Sequence, residues 1–398
     1  MEEAGKCLKM MKSYFQYLSL LFLILHVSVS DADGSNSAKH MMCFLDASAA
    51  LQEHEESRFV PEDLDLSICT HVVYSRVEIT MDLEIEPKNK SLAFVEDGGL
   101  GIINRTVALK ERKPGLEVFI DVHDSEGELY RNAKAGNRSA MIKFSMNAVE
   151  FVQQHGFDGM SIRISSNHHE DPDTEASENL LPIIHEEFQK NGLKLITLLI
   201  PRERRPHQKD LTETMSSYFD LIVVASYWTL PTEYTAILSS PRNLERVVNG
   251  YKEAGVPLEK LVVAIPAFSI TVKLCDRDQR DVNAEICGMG DEGIHSPRTR
   301  ALLYSSELIR KMANASEGWA IIKDPESNML HADSNSLLWT SYEDNTSIRQ
   351  KAAFVLRNNM AGIAILNSNM ENFKGLYDEE GMTFPITRTA SKALHEES

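Results

Sequence analysis

Cysteine, cationic residues and long apolar runs are all scarce in this chain, and each scarcity removes a class of protein. Only five Cys occur in 398 residues. None forms a Cys-x-x-Cys pair and none has paired His nearby, so a structural zinc site is not supported. Forty-one Lys and Arg stand against fifty-nine Asp and Glu, leaving −18 at pH 7. Such a surface repels a phosphate backbone at long range, which argues against broad nucleic-acid binding. The apolar run from Tyr14 to Val29 is interrupted by Gln16, Ser19 and His26, and it falls short of the roughly 20 residues a spanning helix needs. There is no internal repeat, no Pro/Ser/Thr linker and no Cys-rich tail, so no appended binding module is expected.

What is present points to secretion. Lys6, Lys9 and Lys12 precede the apolar run, and Ser28, Ser30 and Ala32 follow or end it, the pattern of a signal peptide over residues 1–30. An oxidising compartment turns paired thiols into staples. With Cys7 in the signal, Cys43, Cys69, Cys275 and Cys287 remain. Local pairing, Cys43 with Cys69 and Cys275 with Cys287, is the natural expectation among three formal connectivities. Asn-x-Ser/Thr sequons begin at Asn89, Asn104, Asn137, Asn314 and Asn345, each a glycosylation candidate on the surface. Hydrophobic content of 42% with 25% charged residues fits one large globular domain.

Eight short runs rich in apolar and β-branched residues alternate with helical stretches, the signature of a parallel sheet wrapped in helices. They lie near Met41 to Asp46, Thr70 to Arg76, Leu116 to His123, Phe157 to Ser165, Leu193 to Ile200, Leu221 to Tyr227, Leu261 to Phe268 and Ala361 to Leu366. Helices are expected over Ala140 to Gln154, where Met141, Phe144, Ser145, Ala148 and Val152 form one stripe before Gly156, and over Glu175 to Lys190, Leu244 to Glu253, Arg300 to Met312 and Ser347 to Asn358. Eight such units predict an α/β fold, a closed (β/α)8 TIM barrel over residues 39–395. Nearly a hundred residues separate the last two strands, which implies a small α+β insertion near 270–340. Residues after Phe384 read as a polar terminal helix or a frayed end.

The fourth run carries Ser161, Arg163 and Ser165 on one face and Ile162 and Ile164 on the other. In a barrel, that polar face at the strand's C-terminal end points into the mouth where active sites are built. The chain resembles glycoside hydrolase family 18, the chitinases and chitinase-like proteins, over nearly all its length after the signal. The resemblance is carried by Cys43, by Cys69-Thr-His-Val-Val-Tyr74, by Asn137-Arg-Ser through Phe157-Asp-Gly159, by Tyr227, and by Asn243-Leu-Glu through Gly255-Val-Pro-Leu-Glu-Lys-Leu261 and on to Pro266. It implies a bridge between the first two strands, through Cys43 and Cys69. The family's catalytic pattern is Asp-x-x-Asp-x-Asp-x-Glu, whose Glu protonates the leaving oxygen, a task that needs a carboxyl group. Here the four positions are Asp158, Ser161, Arg163 and Ser165. Only the first acid survives, and Arg163 replaces an anion by a permanent cation.

Other family positions around the mouth differ as well. The third-strand Ser-x-Gly-Gly-Trp pattern reads Asp121-Val-His123-Asp124-Ser125, the Asp after Tyr227 is Trp228, the seventh-strand Tyr-x-Arg is Phe268-Ser-Ile270, and the eighth-strand Trp is Leu366. The resemblance therefore implies a secreted pseudo-enzyme with no catalytic residue and no cofactor, a weak binder of chito-oligosaccharide or a partner of an extracellular receptor, and a monomer. Tyr227, Trp228, Asp121, Asp124 and Arg163 are the ligand-binding candidates. Arg163 is expected to pair with Asp121; an anion site with Arg76, Arg202, Arg204 and Arg205 is the functional alternative. His123, Asp124, His168, His169, Glu170, Asp171 and Asp173 sit in adjacent loops, but nothing fixes a metal-ligand spacing among them. Two other readings stay open: a glycosidase with relocated carboxylates among Asp121, Asp124, Asp158 and Glu170, and a structural component of an extracellular matrix or cuticle.

Overall fold

A computed structural model of the chain describes residues 38–163, 174–200, 212–225, 233–295, 300–376 and 380–396. Eight parallel strands form a closed barrel: β1 (His40–Asp46), β2 (His71–Ile79), β4 (Glu117–His123), β5 (Gly159–Ile162), β6 (Lys194–Leu199), β7 (Leu221–Ala225), β8 (Leu261–Pro266) and β15 (Gly362–Leu366). Each pairs with the next, β15 returns to β1, and β1 pairs with β2 to close the ring. A two-residue strand, β3 (Ile85–Glu86), folds back antiparallel on β2. Strands buried on both faces read as continuous apolar runs. Leu261-Val-Val-Ala-Ile-Pro266 is buried at every position for that reason.

Two apolar layers result. Met42, Phe44, Val73, Phe119, Ile196, Val223, Val262 and Ala364 fill the barrel interior. The alternate side chains, such as Cys43, Val72, Ile120, Met160, Val224 and Ile365, face the surrounding helices. Those helices include α1 (Glu128–Lys134), α2 (Arg138–His155), α3 (Thr174–Lys190), α4 (Pro241–Glu253), α5 (Ser305–Ala313), α6 (Asn345–Arg357) and α7 (Pro385–Glu396). In α2 the stripe Met141, Phe144, Ser145, Ala148 and Val152 is buried, Asn137 caps the start by accepting from the Ala140 amide, and Gly156 ends it at φ 77°, a left-handed conformation that favours Gly.

Six antiparallel strands lie between β8 and β15 in sequence: β9 (Phe268–Leu274), β10 (Ile286–Met289), β11 (Leu302–Tyr304), β12 (Ala320–Lys323), β13 (Leu330–Asp333) and β14 (Leu338–Tyr342). Their order is β10-β9-β14-β13-β12, with β11 also on β9. Val272, Leu274, Met329 and Trp339 form their core. Disulfides join Cys43 to Cys69 and Cys275 to Cys287, with Cα separations of 6.0 and 4.9 Å.

Two sequence expectations are corrected. The helix expected from Arg300 begins at Ser305, because Leu302–Tyr304 pairs with Ile270, Ser269 and Phe268 as a strand. Of the two readings of the terminal segment the helix holds, but it is amphipathic rather than polar: Ile386, Ala390, Ala393 and Leu394 of α7 are buried. No helix among the described residues is long and apolar enough to cross a membrane.

Candidate functional site

The start of β5 shows why Phe157-Asp158-Gly159 has the sequence it has. A Cβ on Gly159 would lie 2.1 Å from the Lys194 carbonyl oxygen and 2.8 Å from the Phe119 ring, so no larger residue lets β6 approach this closely. Asp158 accepts from the Val118 amide at 2.7 Å and pairs with Lys110 at 2.6 Å. It lies at the N-terminal end of the strand, away from the mouth. Its work is to tie β5 to β4.

Period two carries the interior face upward. Phe119 lies in the barrel core and Asp121 follows on the same face; Ser161 and Arg163 continue the equivalent face of β5, since Met160 and Ile162 pack outward. Asp121 is buried, in register with Ser75 on one side and Ser161 on the other. The expected Arg163 pair gives way to a different set of partners. The Asp121 carboxylate takes His123 Nε2 at 3.0 Å and the Ser75 hydroxyl at 3.3 Å, with Ser161 beside it in register on β5. His123 is two residues away on the same strand face, so it reaches Asp121 without any tertiary rearrangement. Burial works against the Asp121 charge, but the bonded His123, the neighbouring Ser161 hydroxyl and the nearby Arg76 hold it below the ordinary carboxylate range.

His123 Nδ1 lies 3.1 Å from an Arg76 guanidinium nitrogen. Guanidinium only donates, so Nδ1 accepts and the ring proton sits on Nε2, directed at Asp121. Ser75, Asp121, His123 and Arg76 thus form a continuous polar wall spanning β2 and β4. Asp124 is placed otherwise: its Oδ2 accepts from the Tyr130 amide at 2.7 Å. Burial pushes its pKa above the ordinary carboxylate range, opposed by the amides of Tyr130, Leu129 and Glu128. It caps α1.

Among the described residues the opposite wall is apolar. Leu198 and Ile200 on β6, Phe268 and Ile270 after β8, and Leu366 ending β15 all pack against the interior core, and the first four are half-buried. Ser165, His168, His169, Glu170, Asp171, Asp173, Arg202, Arg204, Arg205, Tyr227 and Trp228 lie outside the described residues. Among the described residues no three His, Cys, Asp or Glu side chains cluster as metal ligands. Ser75 was missed in the sequence, although two polar residues between Tyr74 and Val77 already break the alternation of that strand.

A model of the glycosyl hydrolases family 18 matches residues 40–371. The chain belongs to that family. Drosophila melanogaster probable chitinase 10 is 27% identical over 85% of this chain, which spans 15% of that relative's length. Drosophila melanogaster probable chitinase 2 is 24% identical over 88% of this chain and 76% of its own. Among solved structures, an Ostrinia furnacalis Group IV chitinase in complex with allosamidin superposes at a TM-score of 0.79 with 22% identity, covering 90% of this chain and all of that one. Human YKL-39, described as a pseudo-chitinase with retained chitooligosaccharide binding properties, superposes at 0.75 with 20% identity, again over 90% of this chain and 100% of that chain. At these identities the likeness establishes the family 18 barrel, and the mouth described above is this member's own.

Proposed function

We propose that the chain is a secreted, non-catalytic chitinase-like glycoprotein that binds chito-oligosaccharide weakly or acts as an extracellular signalling protein. One observation carries the reading. The strand face where the family chemistry calls for carboxylates presents Ser161 and Arg163, followed in sequence by Ser165, and Asp158 is committed to Lys110 and the Val118 amide. A Ser hydroxyl cannot deliver a proton to a glycosidic oxygen near neutral pH, and a missing general acid lowers rates by roughly a hundredfold to ten-thousandfold. Secretion is supported by the Lys-flanked apolar run before Val29 and by Cys pairs at bridging distance. Glycosylation is supported by the exposure of Asn89, Asn104, Asn137, Asn314 and Asn345.

A glycosidase with relocated acids has one observation in its favour, the Asp124 carboxyl that burial pushes above its ordinary pKa and so towards the protonated form. Asp124 is committed to the α1 amides, however, and Asp121 is held ionised. Calorimetric titration with chito-oligosaccharides, with turnover of the same sugars followed in parallel, separates the readings. Weak or absent binding without turnover is expected; turnover would overturn the proposal.

A further inference from the structure

A cavity of about 290 Å³ opens in the outer layer of the molecule, between α4, α6 and the turn that joins β12 to β13. None of its lining residues belongs to the barrel interior. Helix periodicity builds two of its sides. On α6, Gln350, Phe354 and Arg357 recur at spacings of four and three, and on α4 Pro241, Leu244 and Glu245 do the same at three and four. Leu244 is buried and Phe354 half-buried against the outer core, so these two form the floor.

The sides are held in place by bonds that a ligand does not have to make. Lys351 is fully buried and bonds to Glu343 and to the Ser239 hydroxyl, which ties α6 to the residues just before α4. The Ser240 hydroxyl caps α4 by accepting from the Asn243 amide at 3.1 Å. On the third side the Asp324 carboxylate accepts from the Ser327 amide and the Asp324 carbonyl from the Asn328 amide. Asn328 stands at φ 58°, a left-handed conformation that Asn tolerates.

Charge on the lining balances. Arg242 is answered by Glu326 at 2.9 Å and Lys351 by Glu343. Arg357 and Glu245 remain, one of each sign, together with the amides of Gln350 and Asn328. Among the described residues these four side chains have no hydrogen bond or ion pair, and no ring or cation stacks on Phe354. A ligand with a net charge is attracted by Arg357 or Glu245 and repelled by the other, so a neutral ligand suits the pair. Guanidinium, carboxylate and amide are all planar groups that offer two hydrogen-bonding atoms side by side, a spacing that neighbouring hydroxyls on a ring match. A pyranose with only equatorial hydroxyls carries them around its edge and leaves C–H bonds on its faces. Its edge meets the four polar side chains while one face lies on Phe354. The volume sits at the small end of the range of about 300–1,000 Å³ for ligand clefts, room for one ring.

We infer that this cavity is an outer carbohydrate site that takes a single neutral pyranose ring of all-equatorial, β-gluco configuration. It lies outside the barrel interior, so it stands or falls apart from the reading of the mouth.

Saturation-transfer NMR titration of the full chain tests it, with methyl β-D-glucopyranoside as the probe and methyl β-D-galactopyranoside, leucine and benzoate as comparisons. The glucoside is expected to bind saturably, and the galactoside, whose 4-hydroxyl is axial, about two- to tenfold more weakly. Phe354→Leu keeps the apolar bulk but loses the flat ring, and is expected to weaken the glucoside by about two- to tenfold. Arg357→Ala and Gln350→Ala are expected to weaken it by a similar factor of about two to ten each. Circular dichroism checks the fold of each variant, and Arg357, which is exposed, locates the site even if Phe354→Leu does not fold. No saturable glucoside binding, equal binding of the galactoside, tighter binding of leucine or benzoate, or undiminished glucoside binding by folded Arg357→Ala would each overturn the inference.

Discussion

Single residues in this protein act largely through what they leave paired. Lys351 on α6 is fully buried and bonds to Glu343 and to the Ser239 hydroxyl at 3.0 Å. Glu343 is itself buried and also takes the Ser347 hydroxyl at 2.6 Å. Lys351→Met therefore strands a buried carboxylate, and chemical denaturation is expected to show a loss of about 3–5 kcal/mol. The double variant Lys351→Met with Glu343→Leu is expected to regain most of it, since removing both charges removes the desolvation penalty as well. A single variant with unchanged stability would contradict this account. Asp124→Ala tests a different commitment: loss of the α1 cap is expected to lower stability by about 1 kcal/mol, with sugar turnover as absent as before. At this scale the sequence was legible where one strand supplied both partners. It misassigned Asp121 to Arg163 because adjacency between strands is visible in a sequence only through register, whereas His123 stood two residues away on the same face. The contacts of Ser75 with Asp121 and of Arg76 with His123 go with a register shift between Ser75 and Val77, which a strict period-two reading smooths over.

Elements are held to one another by buried ionisable groups whose effects run in opposite directions with pH. Glu371, after β15, accepts from the Ile386 and Thr387 amides and the Thr387 hydroxyl, and so caps α7 from a distance. Burial pushes its carboxyl up to about 7 against those bonds. Its folded pKa exceeds its ordinary value of 4.5, so its contribution is full below about pH 4.5 and is lost as pH rises through 7. A shift of that size corresponds to roughly 3 kcal/mol. At the other end of the barrel, burial and the adjacent His71 lower His40 to about 4. That contribution is present above pH 6.5 and is lost as pH falls through 4. The two windows overlap between about pH 4.5 and 6.5, where their slopes oppose, so the unfolding midpoint is expected to be nearly level there and to fall off on either side. Glu371→Gln should flatten the alkaline side and His40→Phe the acidic side, as read by thermal unfolding from pH 4 to 8; an alkaline slope that survives Glu371→Gln would rule out the capping carboxylate as its source. The strands were legible because burial on both faces makes them apolar throughout, and α2 because its stripe and Gly156 are local. α7 was not. Its buried face is mostly Ala390 and Ala393 with Ile386 and Leu394, too small an apolar signal without knowing that a buried acid waits to cap it. The segment before α5 was read as helix because pairing with β9 is a long-range fact.

The whole molecule carries −18, and the balance between that net charge and its individual ion pairs decides how salt acts on it. Closure of eight strands into a ring was foreseeable from their number and spacing, but the charge balance belongs to the folded surface. The pairs Lys90–Glu86, Lys134–Glu175, Lys190–Glu186 and Arg242–Glu326 each have both partners more than two-fifths exposed, and exposed pairs contribute about 0–1 kcal/mol each. Salt weakens them, but it also screens repulsion among the excess carboxylates, which acts across the whole surface in the folded state and is relieved by expansion on unfolding. The Debye length falls from about 30 Å at 0.01 M to about 8 Å at 0.15 M, so repulsion reaching across the barrel is cut far more than contacts of 3 Å. Repulsion therefore sets the sign. The thermal midpoint is expected to rise by a few degrees between 10 and 150 mM sodium chloride, each kcal/mol gained being worth roughly 2 °C in a chain of this length. A calorimetric scan at the two ionic strengths checks it. A falling midpoint would mean that the surface pairs outweigh the net charge, and that the excess carboxylates lie too far apart on the barrel to repel one another appreciably.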